Sequence, residues 1–104
     1  MSWDFSFVMP CCGIECADGG NLTYNLHPMM DAAGIAPRET LDGKHAPEVV
    51  KLLGEAWDKL IKEPEKYKKF NPANGWGSYG VLINWIQETV DTAERYPDSI
   101  FKVQ

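Results

Sequence analysis

The sequence has no apolar run approaching the roughly 18 residues that a membrane-spanning helix needs, so no spanning segment is expected. It is short of positive charge: ten Lys and Arg stand against fifteen Asp and Glu, a formal net charge of −5. Nucleic acid is therefore not the expected partner, because neutralising phosphates takes a basic face. Cysteine is scarce, with three residues, Cys11, Cys12 and Cys16, packed into one short stretch. An odd and crowded set does not make a disulfide framework. The spacing also lacks the C-x-x-C pair of a zinc knuckle. A tetrahedral site would have to join Cys11 or Cys12 and Cys16 to His27 and a carboxylate, so no metal or other cofactor is expected. No P-loop, H-E-x-x-H helix, nucleophile elbow or closely patterned carboxylate pair appears, and Ser78, His27 and Asp31 make a triad only on paper. An enzyme is not the expected reading. The first ten residues carry Asp4 where a signal peptide has basic residues and offer no long apolar stretch, which points to a cytoplasmic protein.

What is present is the composition of an ordinary globular domain, 44% hydrophobic and 12% aromatic over 104 residues. That length suits one domain spanning the whole chain. Charge is uneven. Residues 44–69 hold seven lysines against five acids, and the rest of the chain three basic residues against ten acids. The lysines read as a solvated helix face with i,i+4 pairs such as Glu55–Lys59.

Trp3, Phe5 and Phe7 alternate with Asp4 and Ser6, the period-2 pattern of a half-buried strand over residues 3–9. A break at residues 10–13 and a second, Gly-interrupted strand over 14–23 complete a hairpin. A short helix over 27–34 has Pro28 in its first turn and stops on Gly34. Residues 35–45 read as a connection. From Pro47 to about Lys62, Val49, Val50, Leu52, Leu53, Ala56, Trp57, Leu60 and Ile61 form a broad apolar stripe at helical spacing, closed by Pro64. Residues 65–70 add a helical turn. A helix over 79–95 follows, with Ser78 as its N-cap, and residues 99–103 make a last alternating strand. The order predicts an α+β domain: a small antiparallel sheet, hairpin plus C-terminal strand, covered by two main helices and one short helix.

Gly75, Gly77 and Gly80 satisfy G-x-G-x-x-G, yet no buried strand precedes them and no βαβ unit surrounds them, so the dinucleotide reading fails on context. A weaker version survives. A Gly-rich entry to the Ser78 helix presents N–H groups to an anion, with Trp76 and Tyr79 as an aromatic wall. The blander alternative has Asn74 and Gly75 in a turn, Trp76 folded onto the core, and Ser78 only capping. Upstream, Asn21, Thr23 and Asn25 alternate with Leu22, Tyr24 and Leu26 and run into a helix start. They either satisfy turn backbone, with Asn25 or His27 capping the helix, or line an amide pocket beside Tyr24.

The stretches "NLTYNLHPMMDAAG", "NPANGWGSYGVLINWI" and "ERYPDSIFKV", in that order, resemble a group of small phage, prophage and bacterial proteins. The resemblance covers residues 3 to 103. It implies no catalytic residue. It implies that Asn21, Thr23 and Asn25 belong with Asn74, Trp76, Ser78 and Tyr79 as one feature, and that a phage-encoded member is a host- or defence-directed binder. Two uses are thus expected: a non-enzymatic module gripping a protein partner through exposed Trp76, Tyr79 and Tyr24, or a binder of a nucleotide or other small anion at the Ser78 helix. Three strands leave two edges, which leaves room for a homo-oligomer.

Overall fold

The computed structural model describes residues 2–71 and 78–104. In it β1 (Ser2–Val8) is the middle strand of a three-stranded antiparallel sheet, flanked by β2 (Glu15–Thr23) and β3 (Ile100–Val103). The chain is α+β as its pattern predicts. Alternation along β1 sends Trp3, Phe5 and Phe7 into the core and leaves Asp4 in solvent. Phe5 and Phe7 meet Phe101 of β3 at centroid distances of 5.4 and 5.1 Å, which ties the C-terminal strand to the N-terminal one.

Two long helices cover the aromatic face. Helix α2 (Ala46–Lys62) buries Val49, Leu53, Ala56 and Leu60, and α4 (Tyr79–Arg95) buries Leu82, Trp85, Ile86, Thr89 and Ala93. The two run antiparallel, for Tyr79 at the start of α4 donates its hydroxyl to the Leu60 carbonyl near the end of α2, at 2.7 Å. That carbonyl is among the last four of α2, which have no partner inside the helix. The short helices α1 (His27–Ala32) and α3 (Pro64–Lys68) close the end of the core with Met29, Met30 and Tyr67.

Four local features differ from the sequence reading. Neither Asn25 nor His27 caps α1; the chain enters it through a 3-10 turn, Tyr24–Leu26, which Thr23 caps by accepting from the Asn25 N–H at 3.3 Å. Residues 37–41 are a π-helical turn rather than plain connection, with Leu41 buried. Thr40 explains its start: the hydroxyl donates to the Ala36 carbonyl at 2.8 Å. The lysine-rich segment pairs at Lys66–Glu63 and Lys68–Glu65, both i,i+3 and exposed, and these are the ion pairs among the described residues. Finally, β3 is not an open edge. Residues 42–46 lie along it, through Gly43 N–H to Phe101 O at 2.9 Å, Phe101 N–H to Lys44 O at 2.8 Å and Val103 N–H to the Asp42 carboxylate at 2.9 Å.

The other edge, β2, carries a bulge. Asp4 pairs with Asn21 and Ser6 with Asp18, so Gly19 and Gly20 together stand opposite Phe5. Both glycines are required. Gly20 has φ +77°, and a Cβ on Gly19 would sit 2.8 Å from the Phe5 Cβ. Asp18 fixes the bulge by accepting from the Gly20 N–H at 2.8 Å, and Trp85 anchors it from α4 by donating its indole N–H to the Gly19 carbonyl at 3.1 Å.

Candidate binding site

The expected site residues do not gather in one place among the described residues. Asn21 is exposed on the uncovered face of the sheet. Thr23 is spent on the 3-10 cap, and Asn25 offers that cap its backbone N–H. Tyr24 is half-buried, its ring 4.7 Å from that of Trp3 and its hydroxyl accepting from Arg38 at 3.5 Å. Tyr79 is also half-buried and ties α4 to α2, with the Lys68 ammonium 5.5 Å from its ring centroid. Asn74 and Trp76, with the turn or aromatic wall assigned to them, lie outside the described residues.

Ser78 is the N-cap of α4, its hydroxyl accepting from the Val81 N–H at 3.3 Å. Asn71 holds the Tyr79 N–H from the other side at 2.8 Å. Two of the N–H groups an anion would use at this helix end are therefore already engaged.

Cys11 and Cys12 occupy the hairpin turn, and Cys16 is the second residue of β2. Cys11 and Cys12 are exposed with their sulfurs 3.5 Å apart, while half-buried Cys16 donates to the Phe7 carbonyl at 3.3 Å. His27 stacks near Trp3 at 6.2 Å, at the far end of β1 from the turn. No group of three or more His, Cys, Asp or Glu among the described residues could hold a metal ion. The neighbouring Cys12 raises the pKa of the Cys11 thiol above its ordinary value, by its hydrogen bond first and its charge second. Replacing Cys12 by Ala, which removes both the hydrogen bond and the charge, is accordingly expected to shift the pH midpoint of Cys11 alkylation downward. Alkylation rates followed by mass spectrometry across pH 7 to 10 check this, and an unmoved midpoint would refute the coupling.

An apolar hollow lies where α2 and α4 meet. It measures about 240 Å³ and is walled by Val50, Trp57, Ile86 and Val90, with Gln87 and Asp91 at its rim and Gly54 beneath. Helical spacing explains it. Val49, Leu53, Ala56 and Leu60 point into the core, while Val50, Gly54, Trp57 and Ile61 fall on the adjacent stripe. Val50 and Trp57 are half-buried and Ile61 is 48% exposed. Gly54 is the telling residue. It sits inside a 17-residue helix with a negative φ, and a Cβ there would meet nothing within 4 Å. No close approach of backbones calls for glycine at this position. The helix nevertheless loses about 1 kcal/mol there relative to alanine.

Sequence reasoning placed Trp57 and Val50 in one broad stripe with the core residues and so missed the hollow. The signal was present in the width of the stripe, which exceeds what one buried face uses. A second feature went unmarked, the hollows beside the Gly19–Gly20 bulge, lined by Asp4, Ser6 and Asp18 on the sheet face and by Thr89 toward α4. Only Asn21 among the expected residues belongs to it. No helix among the described residues is long and apolar enough to cross a membrane. Comparison with protein-family models, with curated proteins and with solved structures finds no match to the chain.

Proposed function

We propose that this chain is a small non-enzymatic binding module that engages a protein partner by seating an amphipathic helix in the α2–α4 hollow. The observation that carries the reading is Gly54: a helix-interior glycine that packing does not require, opening an apolar recess beside a half-buried tryptophan. Tryptophan in a partly desolvated recess is the usual kind of anchor at protein interfaces, and a groove between two helices receives a helix through its i, i+3 and i+4 side chains. Charge specifies the visitor further. Asp91 stands at the rim, with exposed Asp58 one turn beyond Gly54 and exposed Glu94 one turn beyond Asp91. A bulky apolar side chain would fill the space over Gly54, and Lys or Arg on the flanks of the helix would face these carboxylates. The resemblance to phage and prophage proteins supplies a setting for such a partner, a host- or defence-directed protein.

The reading is tested by selecting helical peptides from a displayed library against the whole chain and mapping the best binder by amide chemical shifts. Basic amphipathic peptides whose footprint covers residues 50–57 and 86–91 are expected. Failure to enrich any helix, or a footprint on the sheet face instead, would overturn it.

Two substitutions separate fold from function at the same position. Gly54→Ala is expected to raise stability by up to about 1 kcal/mol, because the helix gains propensity and the added methyl meets open space. Gly54→Leu is expected to leave the fold intact while occupying the recess. Urea denaturation of both variants checks the first half of this expectation, and a loss of stability in Gly54→Ala would show that the glycine is needed for packing.

A further inference from the structure

The bulge in β2 leaves a hollow on either side of it. On the uncovered sheet face a hollow of about 330 Å³ is lined by Asp4, Ser6, Glu15, Asp18, Asn21 and Gln104. Toward α4 a smaller one, about 200 Å³, shares Asp18 and Gly20 and adds Glu88 and Thr89. Among the described residues two buried hydroxyls have no hydrogen-bond partner, Ser6 Oγ and Thr89 Oγ1, and each residue lines one of these hollows. Ser6 is 6% exposed and Thr89 2%. A buried hydroxyl without a partner costs stability that alanine would avoid, so Ser6 in the middle of the sheet asks for an occupant.

The lining fixes the sign of that occupant. The larger hollow presents three carboxylates and two amides, and no Lys or Arg lines it. Lys102 faces Ser6 from β3 but is exposed and is not in either ion pair of the described residues. A cation fits. A bare metal ion does not, because no group of three or more His, Cys, Asp or Glu among the described residues is placed to hold one. Asp4 and Asp18 sit on neighbouring strands two positions out of step along β1, a diagonal of about 7–8 Å between their Cα positions, with the side chains on one face. That separation suits a cation that donates from several atoms at once. An alkylammonium carries its three donors on one nitrogen, whereas a guanidinium spreads five over a rigid plane. Asp18 is also preorganised, since one carboxylate oxygen is already held by the Gly20 N–H.

We propose that the uncovered sheet face beside the bulge binds a guanidinium group, with Asp4 and Asp18 taking its outer N–H groups and the Ser6 hydroxyl accepting another. The site is separate from the α2–α4 hollow, and either can fail without the other.

The test is an amide chemical-shift titration of the whole chain with arginine amide, beside lysine amide, a neutral urea analogue of arginine amide, and calcium. Saturable shifts at residues 4–6, 18–21 and 102–104 are expected with arginine amide, weaker ones with lysine amide and none with the urea analogue. Asp4→Asn and Asp18→Asn should each weaken binding by roughly tenfold. Ser6→Ala should weaken binding while raising the Tm of the unliganded chain, a pairing that a purely structural role for Ser6 would not give. Thr89→Val, on the other side of the bulge, should leave the affinity unchanged. No saturation at millimolar concentration, equal response to arginine and lysine amides, indifference to Asp18→Asn, or calcium saturating the same amides would each overturn the proposal.

Discussion

Replacing Trp85 by Ala is expected to remove about 3–5 kcal/mol of folding stability, the largest effect of any single substitution considered. Trp85 is 5% exposed, its ring lies 4.7 Å from Phe5 and 6.4 Å from Phe101, and its N–H holds the Gly19 carbonyl. The side chain thus joins α4 to all three strands, by packing to β1 and β3 and by a hydrogen bond to β2. Alanine empties the aromatic centre and strands a buried carbonyl in the same step. Against the 5–15 kcal/mol typical of a small domain, that loss leaves a marginal fold. Urea denaturation followed by far-UV circular dichroism measures it as a fall in midpoint at unchanged slope. Trp85→Phe separates the two contributions: it keeps much of the packing and loses the hydrogen bond, so its cost should be well below that of alanine. Equal costs would mean that the bond to Gly19 dominates.

Gly19→Ala is expected to be the next most damaging change, at about 1–3 kcal/mol, through overcrowding rather than through a cavity. The new Cβ would stand 2.8 Å from the Phe5 Cβ and 2.9 Å from its carbonyl carbon. Those atoms belong to the central strand and cannot rotate aside. Relief requires β2 to move off β1, which would also pull the Gly19 carbonyl from Trp85. The same denaturation experiment checks it, with the double variant Gly19→Ala/Trp85→Phe as a coupling test. Because both changes act on one contact, their costs should add to less than the sum of the singles. Full additivity would show that bulge and indole are independent.

The elements that dominate the fold were legible because each repeats a simple period. Trp3, Phe5 and Phe7 needed only alternation to be placed, and Ser78 followed by Val81, Leu82, Trp85 and Ile86 located α4 and its cap. What stayed hidden depends on partners distant in the chain. The two glycines of β2 announce an interruption, yet only pairing with Phe5 makes it a bulge. Tyr79 gives no sign in the sequence that its hydroxyl reaches Leu60, nineteen positions earlier. Residues 35–45 read as a connection, and the cover that residues 42–46 lay over β3 appears only once the C-terminal strand returns beside them. The aromatic site expected around Tyr24 and Tyr79 shows the same limit. Both hydroxyls are engaged within the molecule, and the accessible tryptophan of the candidate groove is Trp57, which periodicity had merged with the core.

The binding reading rests on the recess over Gly54, and one ratio addresses it most directly. It is the dissociation constant of a selected helical peptide for Gly54→Leu divided by that for the unaltered chain, measured by calorimetry on variants of equal or higher Tm. A rise of at least about tenfold, equivalent to losing one well-packed anchor side chain, is the expected result. An unchanged constant, with the leucine seated in the recess and the fold intact, would contradict the α2–α4 hollow as the binding site.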